Sequence, residues 1–572
     1  MARNSKISLL INVILVLFCI ADRVNGGINN GNNNKAFPHI VFIMADDMGY
    51  NDVSYNDPMH QIPTPNIDAL GLNGVILNRH YSTHMCSPSR AALMTSEYPI
   101  HTGLQHWVID ADEPWGLPLD RKIMPQYFAD VGYETYMAGK WHLGFHKSEY
   151  TPLARGFDHH FGYWGPYIDY WDKTFVKLDR PYNRGIDWRR DSTIMRNTNE
   201  TYATYAITDA AVNYIEQHDK RRPMLMVVNH LAPHTGNEDA PMQAPRSEIN
   251  RYSYVQNEKR RNMTAMCAIL DEGVGKIMKA LKEQKMLENS IVVFISDNGA
   301  PTVGLHSNMG SNYPFRGQKN SGWEGSFRTP AVIYSPLIKK PGRISFDYFH
   351  ITDWLPTLMS AAGIKLRSSR PLDGIDQWNS ISLGLMGKRR EMLLNINPVV
   401  GWSSFIKNDW KLLRKAPEAN DKWLSEANND TQFRNEASYV QNIVNSDAQK
   451  AIGKGLNTFD VVQTLRRNQI NCGVPRKFGK GFKECDFSKT KQCLFNIISD
   501  PCERYDVSSM YPHILKQMEA ALKVYEDQVV PSLYQPTDPK CNPAYFNNTW
   551  VSWNDPPSVR NSFLVTMGKE IY

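Results

Sequence analysis

His39-Ile40-Val41-Phe42-Ile43-Met44-Ala45-Asp46-Asp47 decides the fold, because a short apolar run ends there on two adjacent acids. A run without polar alternation suits a strand covered on both faces, as in a parallel sheet. The form recurs at Ile291 to Ser296, which ends at Asp297-Asn298, and at Met224 to Asn229, which leads into His230 to His234. Further extended segments are predicted at Val75 to Tyr81, toward Gly139-Lys140, and at Ala331 to Tyr334. Helical spacing of apolar residues marks Thr64 to Leu72, Pro125 to Val131, Tyr202 to His218, Lys259 to Lys285 and Asp353 to Ala362, and a helix from Ser89 to Thr95 opens just after Cys86. Strands alternating with helices predict an α/β domain whose large, mostly parallel sheet is flanked by helices. Function in such sheets gathers beyond the carboxyl ends of the strands, where Asp46-Asp47, His230 to His234 and Asp297-Asn298 all fall.

After about residue 385 the texture changes. Short apolar segments (Glu391 to Ile396, Trp402 to Ile406, Trp410 to Leu413, Leu494 to Ile498) alternate with polar linkers, and His513 to Val529 reads as a helix. A smaller C-terminal domain with an antiparallel sheet is expected over 386–572, following a larger domain over 37–385. Ala416 to Lys480 is polar and poorly patterned.

The chain has 572 residues, of which 42% are hydrophobic and 21% charged, the balance of a globular protein with a sizeable core. A net charge of +6 spread over that length, without a Lys/Arg run, argues against a nucleic-acid partner. Arg3 and Lys6 precede a mostly apolar stretch from Ile7 to Ala21, and Val24-Asn25-Gly26 offers a cleavage point. Residues 1–26 thus read as a secretory signal peptide and 27–36, rich in Asn and Gly, as a flexible leader. No later segment approaches the length of a membrane span, so none is expected in the mature chain. Of the eight cysteines, Cys472, Cys485, Cys493, Cys502 and Cys541 cluster after residue 470, suggesting C-terminal disulfides; proximity favours Cys493 with Cys502. Sequons at Asn199, Asn262, Asn429 and Asn547 fit a glycoprotein of the secretory pathway.

The chemistry is concentrated at Cys86-Ser87-Pro88-Ser89-Arg90, a C-x-P-x-R pattern that continues through Ala91 to Thr95 and Tyr98 to Gly103. Gly132 to His142 follows, ending Gly139-Lys140-Trp141-His142. These stretches resemble the two signature segments of the sulfatase family. Arg155 to Asp158, Phe161 to Tyr163, Arg316 to Gly325, Leu494 to Ile497 and Asp500 to Arg504 further resemble its arylsulfatase B branch. The resemblance runs from about residue 37 to about 556. It implies an alkaline-phosphatase-like fold and a sulfuric ester hydrolase that is lysosomal or secreted.

It also implies that a formylglycine-generating enzyme oxidises Cys86 to Cα-formylglycine. The hydrate of that aldehyde carries two hydroxyls, one to attack sulfur and one to expel sulfate afterwards, so no water need attack the sulfated enzyme. Asp46, Asp47, Asp297 and Asn298 match the family's metal ligands, with an oxygen from converted Cys86; the hard oxygen set suits one Ca²⁺. An acidic pair after a strand is ordinarily a solvated turn, but two such pairs beside the motif favour a metal site. By resemblance Arg90 and Lys140 stabilise the alkoxide, and Lys140 and Lys319 clasp sulfate. His142 takes the second hydroxyl's proton, and His234, with His230 as fallback, assists the leaving alcohol. The chain departs from the family pattern at His84, at Ser96-Glu97, and at Gly322 and Ser326 to Thr329.

By analogy the substrate is a sulfated sugar of a glycosaminoglycan end, namely the 4-sulfate of N-acetylgalactosamine. The alternative is a small sulfated compound such as a glucosinolate or an aryl sulfate. A phosphate-ester hydrolase would require a Ser or Thr nucleophile and histidine-rich zinc sites instead of this oxygen set. A non-catalytic paralogue with unconverted Cys86 is the remaining reading.

Overall fold

A computed structural model describes residues 36–57, 61–177, 180–304, 306–415, 436–472 and 483–557. The signal peptide, nearly all of the leader and the Asn429 sequon lie outside the described residues. Pro38–Tyr572 forms one compact unit. Its main sheet runs in the order Arg343–Ser345, Val75–Leu77, Ala331–Tyr334, Ser290–Ser296, His39–Ala45, Met224–Asn229, Glu134–Lys140, His159–Tyr163, Arg189–Arg190 and Thr193–Ile194. The five strands from Ser290–Ser296 to His159–Tyr163 are mutually parallel, and antiparallel pairings flank them on both sides.

Every residue of His39–Ala45, Met224–Asn229 and Ser290–Ser296 is buried, as their unbroken apolar sequences require. Helices Pro65–Asn73, Ala203–Gln217 and Glu258–Glu283 contribute buried apolar faces to the same core. The long helix starts where the Asn257 side chain accepts a hydrogen bond from the Arg260 amide at 3.0 Å. Register then sets the site: Ala45 pairs with Ser296 and Met44 with Asn229, while Asn229 pairs with Gly139. Asp46, Asp297 and Lys140, each one residue further along, therefore emerge side by side. Gly139 has φ +101°, and a Cβ there would lie 1.9 Å from the Asn229 carbonyl oxygen, so only glycine fits immediately before Lys140.

The second sheet is antiparallel, in the order Glu391–Asn397, Trp402–Lys407, Trp410–Arg414 and Gln492–Asn496. Helix Pro512–Glu526 covers one face, with Met518 and Leu522 packed on Leu393, Phe405 and Leu412. The polar stretch after 415 holds three helices among its described residues: Glu436–Asn445, Asp447–Ile452 and Thr458–Asn468. They pack on the main domain rather than on the small sheet, and Ala448, Ala451, Val461 and Leu465 join the main core. Their sparse apolar residues form one narrow stripe per short helix, which a polar composition conceals.

Two local expectations are corrected. The helix carrying the motif spans Cys86–Thr95, so Cys86 is its first residue and not a loop residue ahead of it. Cys493 pairs with Cys485, and Cys502 with Cys472. Nearness in sequence does not separate the two choices, since Cys485 lies eight residues from Cys493 and Cys502 nine; place in the fold does, with Cys493 within a strand and Cys502 in the turn beyond it. Among the described residues no helix is long and apolar enough to cross a membrane.

Candidate active site

The C-x-P-x-R spacing has a direct structural reading. Pro88 falls in the first helical turn, where its missing N–H has no intrahelical partner to lose. Arg90 lies one turn beyond Cys86 and so shares its face. Arg90 Nη2 donates to Asp297 Oδ2 at 2.8 Å and lies 3.5 Å from Asp46 Oδ1. Cys86 Sγ, 1% exposed at the base of a cavity, is 3.3 Å from Asp46 Oδ1 and 3.2 Å from Lys319 Nζ. Burial, reinforced by Asp297 and Asp46, pushes the Cys86 thiol well up from its ordinary value.

Three carboxylates meet three cations here. Lys140 Nζ donates to Asp46 Oδ2 at 2.6 Å, and Lys319 Nζ donates to Asp47 Oδ1 and Oδ2 at 2.7 and 2.9 Å. Burial alone would raise the Asp47 carboxyl, but Lys319 and His234 hold it below the usual range. Burial and the neighbouring Asp46 raise Asp297. Burial would lower Lys319, yet Asp47 and the other negative groups raise it, so the ammonium is retained.

Asp47 adopts φ +65°, a conformation that costs a non-glycine residue energy and concentrates at functional sites. Its amide donates to Asp297 Oδ1 at 3.1 Å, and Asn308 Nδ2 donates to its carbonyl at 2.9 Å. Those two bonds hold both aspartates of adjacent strand ends in one cluster.

The donor set fits a hard divalent cation. Asn298 Nδ2 donates to Asp47 Oδ1 at 2.6 Å, while its buried Oδ1 has no hydrogen-bond partner among the described residues. An orphaned buried amide oxygen is costly unless something else binds it, and this one belongs to a side chain already bonded to Asp47. Ligand atoms of Asp46, Asp47, Cys86 and His234 all lie within 4.8 Å of one another.

The histidines separate clearly. His142 Nε2 donates to the Ile109 carbonyl at 3.0 Å, so in the neutral ring the lone pair sits on Nδ1, which has no partner among the described residues. Burial and the nearby Lys140 and Arg90 push His142 well down, keeping it unprotonated. His234 Nδ1 donates to the Thr235 carbonyl at 2.6 Å, turning Nε2 toward Asp47 Oδ2 at 3.5 Å. His234 lines the cavity and His230 does not. His230 is fully buried, with both ring nitrogens unpartnered among the described residues, and desolvation lowers it to about 4. It is a core residue, and the fallback falls away.

The other departures from the family pattern are structural. Ser96 ends the Cys86 helix at φ +62°, with its hydroxyl on the Thr352 carbonyl at 2.7 Å. Glu97 sits 3.5 Å from Arg121. His84 packs edge-on against Trp402, their ring centres 5.3 Å apart. Gly322 makes room for the sheet beneath it, since a Cβ there would meet Leu413 Cδ1 at 2.3 Å.

Sequence reasoning missed several residues. Asn308 has no motif to announce it. Tyr167 stacks on His234 at 5.4 Å, and His306 lies 5.0 Å from Tyr167 with Nδ1 3.2 Å from the Thr235 hydroxyl. Asp110 and Lys177 also line the cavity, which has a volume of about 460 Å³. Of the sequons, Asn199 and Asn547 are exposed, and Asn262 lies on the long helix with Nδ2 bonded to the Glu258 carbonyl at 3.2 Å.

A family model described as Sulfatase matches residues 38–364. The chain is 34% identical to arylsulfatase J of Mus musculus over 91% of its own length and 81% of that protein. It is 32% identical to the N-acetylgalactosamine-6-sulfatase of Mus musculus, covering 62% of this chain and 68% of that one. Among solved structures, Ps i-CgsB in complex with k-i-k-neocarrahexaose superposes with a TM-score of 0.66 at 24% identity, covering 92% of this chain and 99% of that one.

Proposed function

The chain belongs to the sulfatase family, and from that premise we propose that it cleaves sulfate esters on sugars with an oxidised Cys86 and one bound Ca²⁺. One observation carries this reading: Cys86 Sγ lies at the base of a cavity, 3.2 Å from Lys319 Nζ and 3.3 Å from Asp46 Oδ1. Residue 86 as formylglycine hydrate supplies a hydroxyl that attacks sulfur and a second that expels sulfate. Asp46, Asp47, Asp297 and the Asn298 Oδ1 would hold the cation, which supplies charge neutralisation beside the sulfate and acidifies the attacking hydroxyl.

The protein's own side chains do the rest. Lys319 brings an ammonium group to the base of the cavity to bind sulfate oxygens, and Lys140, fully buried on Asp46, adds a second positive charge to the same cluster that offsets charge growing as the ester bond breaks. Arg90, held by Asp297, keeps a third positive charge beside the nucleophile. His234 turns Nε2 into the cavity through its Nδ1 bond to Thr235; because Nδ1 carries the neutral ring's proton, Nε2 assists the departing alkoxide only as the imidazolium, whose charge Asp47 Oδ2 at 3.5 Å would support. His142 offers the Nδ1 lone pair as the base for the remaining hydroxyl at residue 86. The substrate is a sulfated ring, a sugar at the end of a glycosaminoglycan by preference or else a small sulfated molecule, and the aromatic walls of the cavity suit the apolar face of either.

Processing is proposed to occur in the secretory pathway, with glycans at the exposed Asn199 and Asn547 and delivery to lysosomes or the exterior. Peptide mass spectrometry across 80–97 tests the proposal: conversion removes about 18 Da, the difference between a CH₂SH and a CHO side chain. An unmodified thiol in protein from a conversion-competent secretory host, together with no hydrolysis of 4-nitrocatechol sulfate, would overturn it.

A further inference from the structure

We propose, building on the reading of this site as a sugar-directed sulfatase, that His306 is a specificity-determining residue. Its Nε2 binds the free hydroxyl beside the sulfate on the leaving alcohol, so the site prefers an ester flanked by a hydroxyl. A sugar sulfated next to a free ring hydroxyl has that arrangement, and so does a catechol sulfate.

Thr235 joins two histidines that both line the cavity. Its carbonyl accepts from His234 Nδ1 at 2.6 Å, and its hydroxyl lies 3.2 Å from His306 Nδ1. Each ring is thus held at Nδ1, which turns its Nε2 away from Thr235. The His234 Nε2 faces Asp47 Oδ2, whereas the His306 Nε2 has no hydrogen-bond partner among the described residues. The two ring centres are 5.5 Å apart, close enough to serve adjacent positions of one substrate. With His234 at the ester oxygen, the position left to His306 is the substituent on the neighbouring carbon.

The surroundings hold this pair in place. Tyr167 stacks on His234 and meets His306 edge-on with ring centres 5.0 Å apart, while its own hydroxyl donates to the Val176 carbonyl at 3.1 Å. Two residues beyond His306, Asn308 Nδ2 donates to the Asp47 and Pro233 carbonyls at 2.9 and 3.2 Å, tying this part of the chain to the acid cluster. His306 itself adopts φ +56°, a left-handed conformation that costs a non-glycine residue energy and persists where the structure around it enforces it.

The ring's chemistry selects a hydroxyl. Burial lowers His306 to about 3, and His234 and Lys319 act in the same direction, so the imidazole is neutral. The Thr235 hydroxyl can donate to Nδ1 or accept from it, which leaves Nε2 to accept or donate in turn. Such a ring pairs with an uncharged hydroxyl and brings no charge to hold a second anion.

The test pairs 4-nitrocatechol sulfate, whose ester has a hydroxyl on the adjacent ring carbon, with 3-nitrophenyl sulfate, the same molecule without that hydroxyl. On converted enzyme in mildly acidic buffer, where the hydroxyl keeps its proton, the ratio of their kcat/KM values is measured in wild type and in His306→Phe. That variant keeps a ring against Tyr167 and removes both nitrogens, and comparing ratios cancels the difference between the leaving groups. The expected ratio is about tenfold smaller in His306→Phe, the worth of one neutral hydrogen bond. Thr235→Val removes the orienting hydroxyl and keeps the carbonyl that holds His234; it should lower the ratio in the same direction, and it decides the matter if His306→Phe does not fold. A ratio unchanged in either folded variant would refute the role of His306 and leave the sulfatase reading standing. Hydrolysis of neither ester by wild type would overturn that reading, and this inference with it.

Discussion

His142 Nε2 donates to the Ile109 carbonyl at 3.0 Å, and the Ile109 amide donates to the Ser87 hydroxyl at 3.1 Å. The residue next to the nucleophile is therefore linked, through the backbone of one residue, to the carbonyl that decides which nitrogen of His142 carries its proton. Nδ1 is left as the base, and its proposed role is the release of sulfate, after the alcohol has departed. The expected phenotype of His142→Ala is a steady-state rate lower by about 10²–10⁴-fold with alcohol release in the first turnover preserved. Rapid quench with 4-nitrocatechol sulfate would show a burst approaching one equivalent per site. Equal loss of the burst and of the steady state would place His142 in an earlier step.

The orphaned Asn298 Oδ1 gives a prediction that needs no activity assay. Calcium added to chelator-treated protein should raise the melting temperature, because a ligand bound only to the folded state contributes about 3 kcal/mol at a hundredfold excess over its Kd. Asn298→Ala and Asp47→Asn should each lose most of that shift. Differential scanning fluorimetry against calcium concentration reads it directly, and an unchanged shift in both variants would show that the donor set is wrong.

Acid should stabilise the fold through two carboxyls remote from the active site. Asp68, which accepts from the hydroxyls of Ser54, Thr64 and Tyr439, is pushed up to about 7 by burial. Asp271, which accepts the Ile67 amide at 2.8 Å and Asn66 Nδ2 at 2.8 Å, is pushed up by burial to about 8. A carboxyl raised in this way binds its proton more tightly in the folded protein than in the unfolded one. Its contribution is complete below the unfolded value near 4 and is lost as pH rises through the folded value. Buried histidines held neutral act in the opposite sense, so the readout is a difference: relative to Asp271→Asn, which keeps the same histidines, wild type should lose several degrees of melting temperature between about pH 5 and about pH 8. A difference between the two proteins that is constant over this window would contradict the account.

What could be read from the sequence follows from how local each signal is. The runs ending at Asp46 and Asp297 announced both strands and the acids beyond them, because burial on two faces demands an unbroken apolar string. Cys86, Arg90, Lys140 and His142 lie in contiguous motifs, which makes them legible as candidates from the sequence. The preference for His234 over His230 rests on the Ala232-Pro233-His234 segment in the sequence, and the structure adds the turn that buries one ring and brings the other to the cavity. Asn308, Tyr167 and Asp110 reach the site from separate loops and Lys177 from the end of a short strand, Thr174–Lys177, and no periodicity marks such residues. The helices after 436 were hidden for another reason: each offers only a narrow apolar stripe, and their stability comes from docking on helices far away in sequence.

The last prediction concerns how the small sheet supports the active site. Lys411, on strand Trp410–Arg414, is fully buried, with Nζ 3.0 Å from Glu324 Oε1 and 2.7 Å from Glu503 Oε1. Glu503 also accepts the Glu324 amide at 2.6 Å, and the Tyr81 hydroxyl donates to Glu324 at 2.6 Å. Glu324 closes the segment that carries Lys319, and the Ser404 hydroxyl binds the Gly322 carbonyl of that segment at 3.0 Å. Lys411→Met would remove the cation between the two glutamates, leaving only Arg328 3.6 Å from Glu324 and none beside Glu503, at a cost of about 3–5 kcal/mol, because removing one partner strands the buried charge of the other. Denaturant unfolding should show that loss, together with a fall in kcat/KM as the Lys319 segment loosens. Adding Glu503→Gln removes one stranded charge and should recover part of both. If Lys411→Met alone leaves stability and kcat/KM unchanged, the small sheet does not hold Lys319 in place through this network.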